Sequence, residues 1–398
     1  MKNRKQKNIP QEWQQVKLGD QVKIFNGGAF NSEDASTVGI RWIKIANVGV
    51  QRIKWETKSF LPEGFLSKYL QYELKQEDIV VALTRPTLGN KLKISIIQNK
   101  DVPALLNQRV GKLIFKNSIS PKFGYYFLVL DRVAYKINQL LAGSDPPNLS
   151  SNAFNFINLN LPPLPEQNRI VSVLETWDKV IEKLSKKIEL KKQIKKGLMQ
   201  DLLTGRKRLE GFNDKWRFIK LGDACQKIKT GKLDANAMVK NGKYRFYTCA
   251  KDFYLIDNYA FDTEALLVSG NGANVGYVHY YKGKFNAYQR TYVLYDFNEN
   301  ILFIKYLLDL FLKVRIKEEV REGNTPYITM DTLTDMNLKI PSNKEQQVIV
   351  NVLSAADKEI DILENKLKIL KEQKRYLLNN LITGTIRTPE TLSAKLTK

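Results

Sequence analysis

The chain repeats one long segment, and this repetition constrains its fold more than any other feature. Residues 166–205 align without a gap onto residues 345–384. Each copy opens on Glu-Gln and closes on Thr-Gly, and a shorter shared motif precedes each copy, at Trp13–Asp20 and again at Trp216–Asp223. Because an internal repeat reflects a repeated structural unit, the sequence predicts the order module, helix, module, helix.

The long segment has the residue spacing of a coiled-coil helix. Its apolar residues alternate four and three apart, which is a heptad pattern. Pro165 and Glu166 suit the start of a helix, Gly205 and Gly384 suit an end, and each helix is expected to be roughly 55 Å long. The residues predicted to pair the helices are Ile170, Leu174, Trp177, Ile181, Leu184, Ile188, Leu198 and Leu202 in the first copy and Ile349, Leu353, Ile360, Leu363, Leu367, Leu370, Leu377 and Leu381 in the second.

A narrow apolar stripe cannot be buried by one helix alone. We therefore predict that the two helices pack on each other as an antiparallel coiled coil, and the alternative is that each helix packs on its own module. Lys195 and Lys374 occupy the same seam position in the two copies. A charged residue at such a position disfavours other registers at some cost in stability.

The rest of the sequence predicts two β-rich modules. Short runs of β-branched and aromatic residues, such as 79–83 and 291–295, are typical of strands, whereas residues 121–141 and 301–319 have helical spacing. The predicted fold class is α+β, with two β-rich α+β domains in tandem and a long helix after each. The predicted boundaries are 1–160 for the first module, 161–206 for the first helix, 207–337 for the second module, and 338–398 for the second helix and the tail.

The charge favours a polyanionic partner. The chain has 64 Lys and Arg against 41 Asp and Glu, a net charge of +23, and nucleic acid is the commonest partner of so basic a protein. A lysine-rich composition without such a role is the alternative. Neither a signal peptide nor an apolar run long enough to span a membrane is evident, so we expect a cytoplasmic protein with no membrane partner.

The composition also argues against several kinds of site. With only Cys225, Cys249 and His279, the chain has too few cysteines and histidines for a Cys/His zinc site, and we predict no metal site. Gly270–Gly276 lacks the spacing and the following helix of a dinucleotide site. Asp145–Asn148 resembles the D-P-P-Y loop of amino-methyltransferases, but Asn148 cannot stack on a flipped base as an aromatic residue does. These patterns therefore identify no catalytic residue.

The repeated motifs together resemble the specificity (S) subunits of type I restriction–modification systems. Each half opens with W-x-x-[VI]-K-L-G-D and ends in a proline-containing stretch before the long helix, which closes with L-[LI]-T-G. These stretches are Leu161–Gln167 with Leu202–Gly205 and Ile340–Gln346 with Leu381–Gly384. The second copy lacks the double proline and an equivalent of Leu164, so its motif is the weaker one. The resemblance covers nearly the whole chain.

This resemblance implies a DNA-recognition subunit without catalysis. Each target-recognition domain would read one half of a bipartite duplex DNA target, and the helices would set the spacing between the half-sites. Two methyltransferase subunits would dock on the helices, and restriction subunits would join that core. S-adenosylmethionine, ATP and Mg²⁺ would be used by the holoenzyme and not by this chain. The rival interpretations are a basic coiled-coil adaptor protein and a stand-alone DNA-modifying enzyme, for whose catalytic domain the length leaves no room.

The candidate DNA contacts are polar loop residues beside strands, since Arg suits guanine and Asn or Gln suits adenine. Gln-Arg precedes a strand in both modules, which favours a common structural or phosphate role for this pair over base reading. The modules otherwise diverge, as expected of two copies that bind different ligands, although drift is an alternative. The candidates are Thr84, Arg85, Lys91, Gln108 and Arg109 in the first module and Lys232, Asn271, Asn274, Gln289 and Arg290 in the second.

Overall fold

The computed structural model describes residues 10–143, 145–319 and 327–395. The chain divides into two compact units, one formed by residues 1–183 and 367–398 and the other by residues 184–366. None of the helices in these described ranges is long and apolar enough to cross a membrane.

The first module contains two four-stranded sheets, β4-β3-β10-β5 and β2-β11-β6-β9, and two strand pairs, β1-β12 and β7-β8. Residues 79–82 form a continuous apolar run because both faces of their strand are buried. Ile79 and Val81 face one apolar core, and Val80 and Ala82 face another. The strands are β1 (Gln14–Lys17), β2 (Val22–Asn26), β3 (Ile40–Ile43), β4 (Phe60–Leu61), β5 (Glu73–Leu74), β6 (Ile79–Ala82), β7 (Thr87–Leu88), β8 (Lys91–Leu92), β9 (Ile94–Ile96), β10 (Ala104–Leu106), β11 (Val110–Phe115) and β12 (Asn158–Leu161).

Four short α-helices accompany these strands in the described part of the module: α1 (Phe65–Lys68), α2 (Pro121–Leu128), α3 (Asp131–Leu140) and α4 (Ser151–Phe154). The sequence predicted one helical stretch over residues 121–141, and the structure breaks it between α2 and α3. The break occurs because Leu130 is extended, with φ −64° and ψ 132°. The first long helix, α5 (Leu164–Leu203), follows β12.

The second module is built on one six-stranded sheet in the order β14-β19-β17-β18-β15-β16, with a separate pair β13-β20. Helix α7 covers one face of this sheet with buried residues such as Phe303 and Leu308. The elements are β13 (Arg217–Lys220), α6 (Leu221–Ala224), β14 (Cys225–Thr230), β15 (Tyr244–Tyr247), β16 (Tyr254–Ile256), β17 (Phe261–Ser269), β18 (Val278–Ala287), β19 (Thr291–Phe297), α7 (Ile301–Glu319), α8 (Met330–Thr334), β20 (Asn337–Ile340) and the second long helix, α9 (Asn343–Ile382).

The opening motif of each module forms a strand that the sequence did not predict. β1 pairs antiparallel with β12, and β13 pairs antiparallel with β20. Each opening strand is thereby tied to the strand that leads into the following long helix. β12 and β20 extend across the predicted boundaries at residues 160/161 and 337/338.

The long helices α5 and α9 pack together, as predicted. In the first unit, Ile170 and Leu174 of α5 share one apolar core with Leu381 of α9, so the start of one helix lies beside the end of the other. In the second unit, Leu202 shares a core with Leu353. All sixteen residues predicted to pair the helices are buried or half-buried. The same cores include Trp13 and Trp216, so the helix ends pack on modules as well as on each other.

The two seam lysines are held by carboxylates of the opposite helix. Lys374 pairs with Asp178, which also accepts a 2.7 Å hydrogen bond from the Tyr126 hydroxyl. The second unit repeats this arrangement, since Lys195 pairs with Asp357, and the Tyr306 hydroxyl donates to Asp357 at 2.7 Å. Each lysine therefore links the two helices to a module, which gives these charged seam positions a specific partner.

The repeated Glu-Gln at the helix start anchors each helix to its surroundings. Glu166 accepts from Trp13 Nε1 at 2.9 Å and from Arg387 Nε at 2.5 Å. Its counterpart Glu345 accepts from Arg208 Nε at 2.6 Å and from Arg208 Nη2 at 2.8 Å. The neighbouring Gln167 accepts from a backbone N–H at 2.7 Å and donates to two backbone carbonyls. These buried contacts explain why both copies begin with the same dipeptide.

Candidate nucleic-acid interface

Loops of the first module surround an open cleft of about 400 Å³. The cleft lies where β2 and β6 end, beside the turn between β10 and β11 and the loop that follows α3. Its lining is mainly polar and contains no carboxylate among the residues that the structure describes. The lining residues are Asn26, Leu83, Thr84, Gln108, Arg109, Pro146, Asn148 and Leu149.

The second module has a cleft of about 360 Å³ at the corresponding place. It lies at the ends of β14 and β17, beside the turn between β18 and β19. The described part of this lining also lacks a carboxylate and is rich in amide and hydroxyl groups. The lining residues are Thr230, Gly270, Asn271, Gln289, Arg290, Tyr292, Tyr327 and Ile328.

Backbone hydrogen bonds show that the two clefts are equivalent. Leu83 N donates to Arg109 O at 3.0 Å in the first module, and Gly270 N donates to Arg290 O at 2.8 Å in the second. Each Gln-Arg pair occupies the middle of a tight turn. A 2.8 Å hydrogen bond closes each turn, from the backbone N–H of the residue after the pair to the backbone carbonyl of the residue before the pair. Single β-bridges complete the match, one joining Thr84 to Asn148 and the other Asn271 to Tyr327.

The Gln-Arg turn presents an exposed cation in both clefts. Arg109 and Arg290 are exposed, and within the described ranges neither guanidinium has a carboxylate partner. Gln108 and Gln289 are also exposed, and Gln289 Nε2 donates to Asp234 at 2.7 Å. A guanidinium without a counter-ion at a turn tip is suited to a phosphate.

Further cations lie beside the first cleft. Burial, followed by the charges of Arg85 and Lys54, lowers the pKa of Lys93 below its ordinary value, so three cations lie near one another. Arg85 directly follows Thr84 and has φ +47°, a conformation that few residues other than glycine adopt. A hydrogen bond from Arg85 N to Pro147 O at 2.8 Å stabilises this backbone. Clustered like charges of this kind favour binding of a polyanion.

Six of the ten predicted DNA contacts line the clefts, namely Thr84, Gln108, Arg109, Asn271, Gln289 and Arg290. The other four, Arg85, Lys91, Lys232 and Asn274, do not. Lys91 forms a 3.0 Å salt bridge with Asp131, and Asn274 Nδ2 donates to Cys249 O at 3.1 Å, which gives that amide a structural role. Lys232 is exposed just after the strand that borders the second cleft.

Several cleft residues escaped prediction. Asn26 and Thr230 each end a strand ahead of glycine, and this shared pattern after the L-G-D motif was a usable signal. Asn148 and Tyr327 each follow a proline, but this local pattern did not place them in a cleft, because each joins its cleft through a bridge to a distant loop.

His279 occupies an aromatic environment away from any metal-binding cluster. Its Nε2 lies 2.9 Å from the Ala250 carbonyl, and its ring contacts Tyr247 and Tyr277. The described ranges contain no group of three or more His, Cys, Asp or Glu side chains that could hold a metal ion.

Acidification is expected to destabilise the protein through His279. Burial is the largest cause lowering the pKa of this imidazole below its ordinary value of about 6.5. The unfolded chain therefore takes up the proton more readily, and stability is lost as the pH falls through and below that ordinary value. The melting temperature measured between about pH 7.5 and pH 5.5 should fall less for His279→Gln than for the parent. An equal fall in both proteins would contradict this role.

Solved structures share this fold. The type I restriction–modification S subunit of M. genitalium superposes with a TM-score of 0.65 at 17% identity, covering 96% of this chain and 98% of that chain. A chain from a type I restriction–modification system, studied for complex assembly and conformational transition, superposes with a TM-score of 0.56 at 17% identity, covering 96% and 100% of the two chains. At these identities the similarity shows the fold alone.

Sequence relatives and a family model agree with the fold. The MjaVIII specificity subunit of Methanocaldococcus jannaschii is 41% identical over 206 residues, 52% of this chain and 48% of that protein. The EcoDI specificity subunit of Escherichia coli is 37% identical over 175 residues, 43% of this chain and 38% of that protein, so the chain spans about half or less of these relatives. The type I restriction modification DNA specificity domain matches twice, over residues 10–195 and 213–372. The chain therefore belongs to the family of type I restriction–modification specificity subunits.

Proposed function

We propose that the chain selects the DNA target of a type I restriction–modification complex, with each module reading one half of a bipartite sequence. The observation that carries this proposal is the pair of equivalent clefts. Each has an exposed arginine without a carboxylate partner among the described residues at the same turn, and different side chains around it. Two binding sites with one frame and unlike linings are what two unlike half-sites require.

The chemistry of modification would then reside in partner subunits. We expect two methyltransferase subunits, which use S-adenosylmethionine, to dock on the long helices, and restriction subunits, which use ATP and Mg²⁺, to join them. The chain itself would bind no cofactor, contribute no catalytic group and act in the cytoplasm.

Cells that express this chain with its methyltransferase subunit are expected to carry methylated adenine at one bipartite sequence. Sequencing of methylated bases in these cells measures this directly. Exchange of residues 216–337 for the corresponding module of another specificity subunit should change one half-site and leave the other as it was. A contiguous methylation motif, or a motif that the exchange leaves unchanged, would refute the split-target proposal.

The paired helices are proposed to set the spacing between the half-sites. One extra heptad in each helix, inserted after Lys183 and after Lys366, preserves the apolar seam and adds roughly 10 Å of helix. At about 3.4 Å per base pair, the spacer of the methylated motif should grow by about three base pairs. The control is a heptad added to α5 alone, because this insertion shifts the apolar seam of α5 without a matching change in α9. An unchanged spacer in the double insertion would argue against a ruler.

A further inference from the structure

We propose that each cleft separates phosphate binding from base reading by position, an inference that rests on the proposed function. The Gln-Arg turn common to both modules would bind the DNA backbone. Three equivalent positions that differ between the modules would read bases. These positions hold Asn26, Thr84 and Asn148 in the first cleft and Thr230, Asn271 and Tyr327 in the second.

The shared turn is unsuited to discrimination between two unlike half-sites. Its two residues are identical in both modules, and both turns are closed by the same backbone hydrogen bond. Phosphate oxygens recur at every nucleotide, so a contact to them orients a protein on DNA without reading sequence. The exposed guanidinium groups of Arg109 and Arg290, which have no carboxylate partner in the described part of the chain, match this chemistry.

The first cleft presents an oriented amide. The Thr84 hydroxyl donates to Asn148 Oδ1 at 2.7 Å, and Asn148 Nδ2 donates to Pro146 O at 3.1 Å. Both side chains stay accessible, with Asn148 exposed and Thr84 half-buried. An asparagine held in one orientation can match the donor and acceptor pattern of adenine in the major groove.

The second cleft presents a different set of groups at the same places. Tyr327 is 61% exposed, although an aromatic ring of this size is usually buried at least in part. It lies across the bridge from Asn271, whose side-chain amide has no hydrogen-bond partner among the described residues. An exposed ring beside this amide offers an apolar surface for a base or a thymine methyl group and a polar group for a base edge.

Selection of bound duplexes from a randomised DNA library tests this assignment and requires no assumed target sequence. The full chain is used in complex with its methyltransferase subunits, as the parent and as Arg109→Ala, Arg290→Ala, Asn148→Ala and Tyr327→Ala. Lys116→Ala is the control, because Lys116 is an exposed cation at the end of β11 away from the Gln-Arg turn. Thermal unfolding verifies that each variant is folded, and Asn148→Asp, which keeps the side-chain size, repeats the test at that position.

The two arginine variants are expected to bind every selected duplex more weakly by a similar factor and to lower the salt dependence of log K by about one unit. They should return the parent motif. Asn148→Ala should reduce base preference at one position of one half-site, by about 5- to 150-fold, and leave the other half-site intact. Tyr327→Ala should act in the same way on the opposite half-site.

Two results would overturn the assignment. One is a loss of base preference in the arginine variants, and the other is a motif that Asn148→Ala and Tyr327→Ala leave unchanged while the parent still selects a bipartite sequence. If the parent complex itself selects no bipartite sequence, the proposed function fails as well, so the two failures are distinguishable.

Discussion

Replacement of Arg208 by methionine is expected to destabilise the second unit by about 3 kcal/mol. Arg208 holds the Glu345 carboxylate through two hydrogen bonds, and the Glu345 side chain is only 1% exposed. Removal of the arginine leaves the buried carboxylate of Glu345 without this partner, and an unpaired buried charge is among the costliest single defects in a folded protein. We place the effect at the low end of the usual range because the Arg208 side chain is itself 26% exposed. Equilibrium unfolding in denaturant measures the change.

Two further variants distinguish the loss of this pair from the loss of any surface arginine. Arg206→Met removes an exposed arginine that pairs with Asp201, and a pair of that kind contributes about 1 kcal/mol or less. The double variant Arg208→Met with Glu345→Gln removes the stranded charge and should recover part of the stability. If Arg208→Met unfolds with the same free energy as Arg206→Met, the buried pair does not anchor the helix.

Truncation of Leu353 to alanine is expected to destabilise the protein by about 3 kcal/mol. Leu353 is fully buried, in one apolar core with Trp216, Phe303 and Leu202. The truncation therefore leaves a cavity at a site where helix α9, helix α5 and the second module meet. The free energy of unfolding reports the loss.

Ile362→Ala is the matched control for Leu353→Ala, because it removes a residue of the same size from the same helix. Ile362 is 66% exposed, so its truncation leaves no cavity, and alanine has the higher helix propensity. Its effect should stay within about 0.5 kcal/mol. Equal losses in the two variants would contradict the burial of Leu353 as the cause of its effect.

The heptad stripe illustrates what local pattern predicts well. Burial along a helix repeats with the helical period, so residues such as Leu174 and Leu353 could be assigned to a buried seam from spacing alone. The pattern did not reveal that the ends of this seam also belong to the cores of the modules. Trp13 and Trp216 reach those cores from distant parts of the chain, and no periodicity connects them to the helices.

The Glu-Gln dipeptide at the start of each long helix shows the limit of repetition as evidence. Its recurrence marked Glu166 and Glu345 as significant but not as members of buried ion pairs. Their partners Arg387 and Arg208 follow the end of the other repeat's helix. A hydrogen bond depends on proximity in space, and separation along the sequence does not predict it.

By itself, the sequence determined the duplication, the helical seam, the β-rich modules and the family. Each of these depends on spacing or on motifs within a short stretch of chain, which local steric preferences and burial impose directly. Only the tertiary structure decided which loops form the clefts. Asn26, Thr84, Arg109 and Asn148 come from four separate segments, and they meet because strand pairing brings the ends of those segments together.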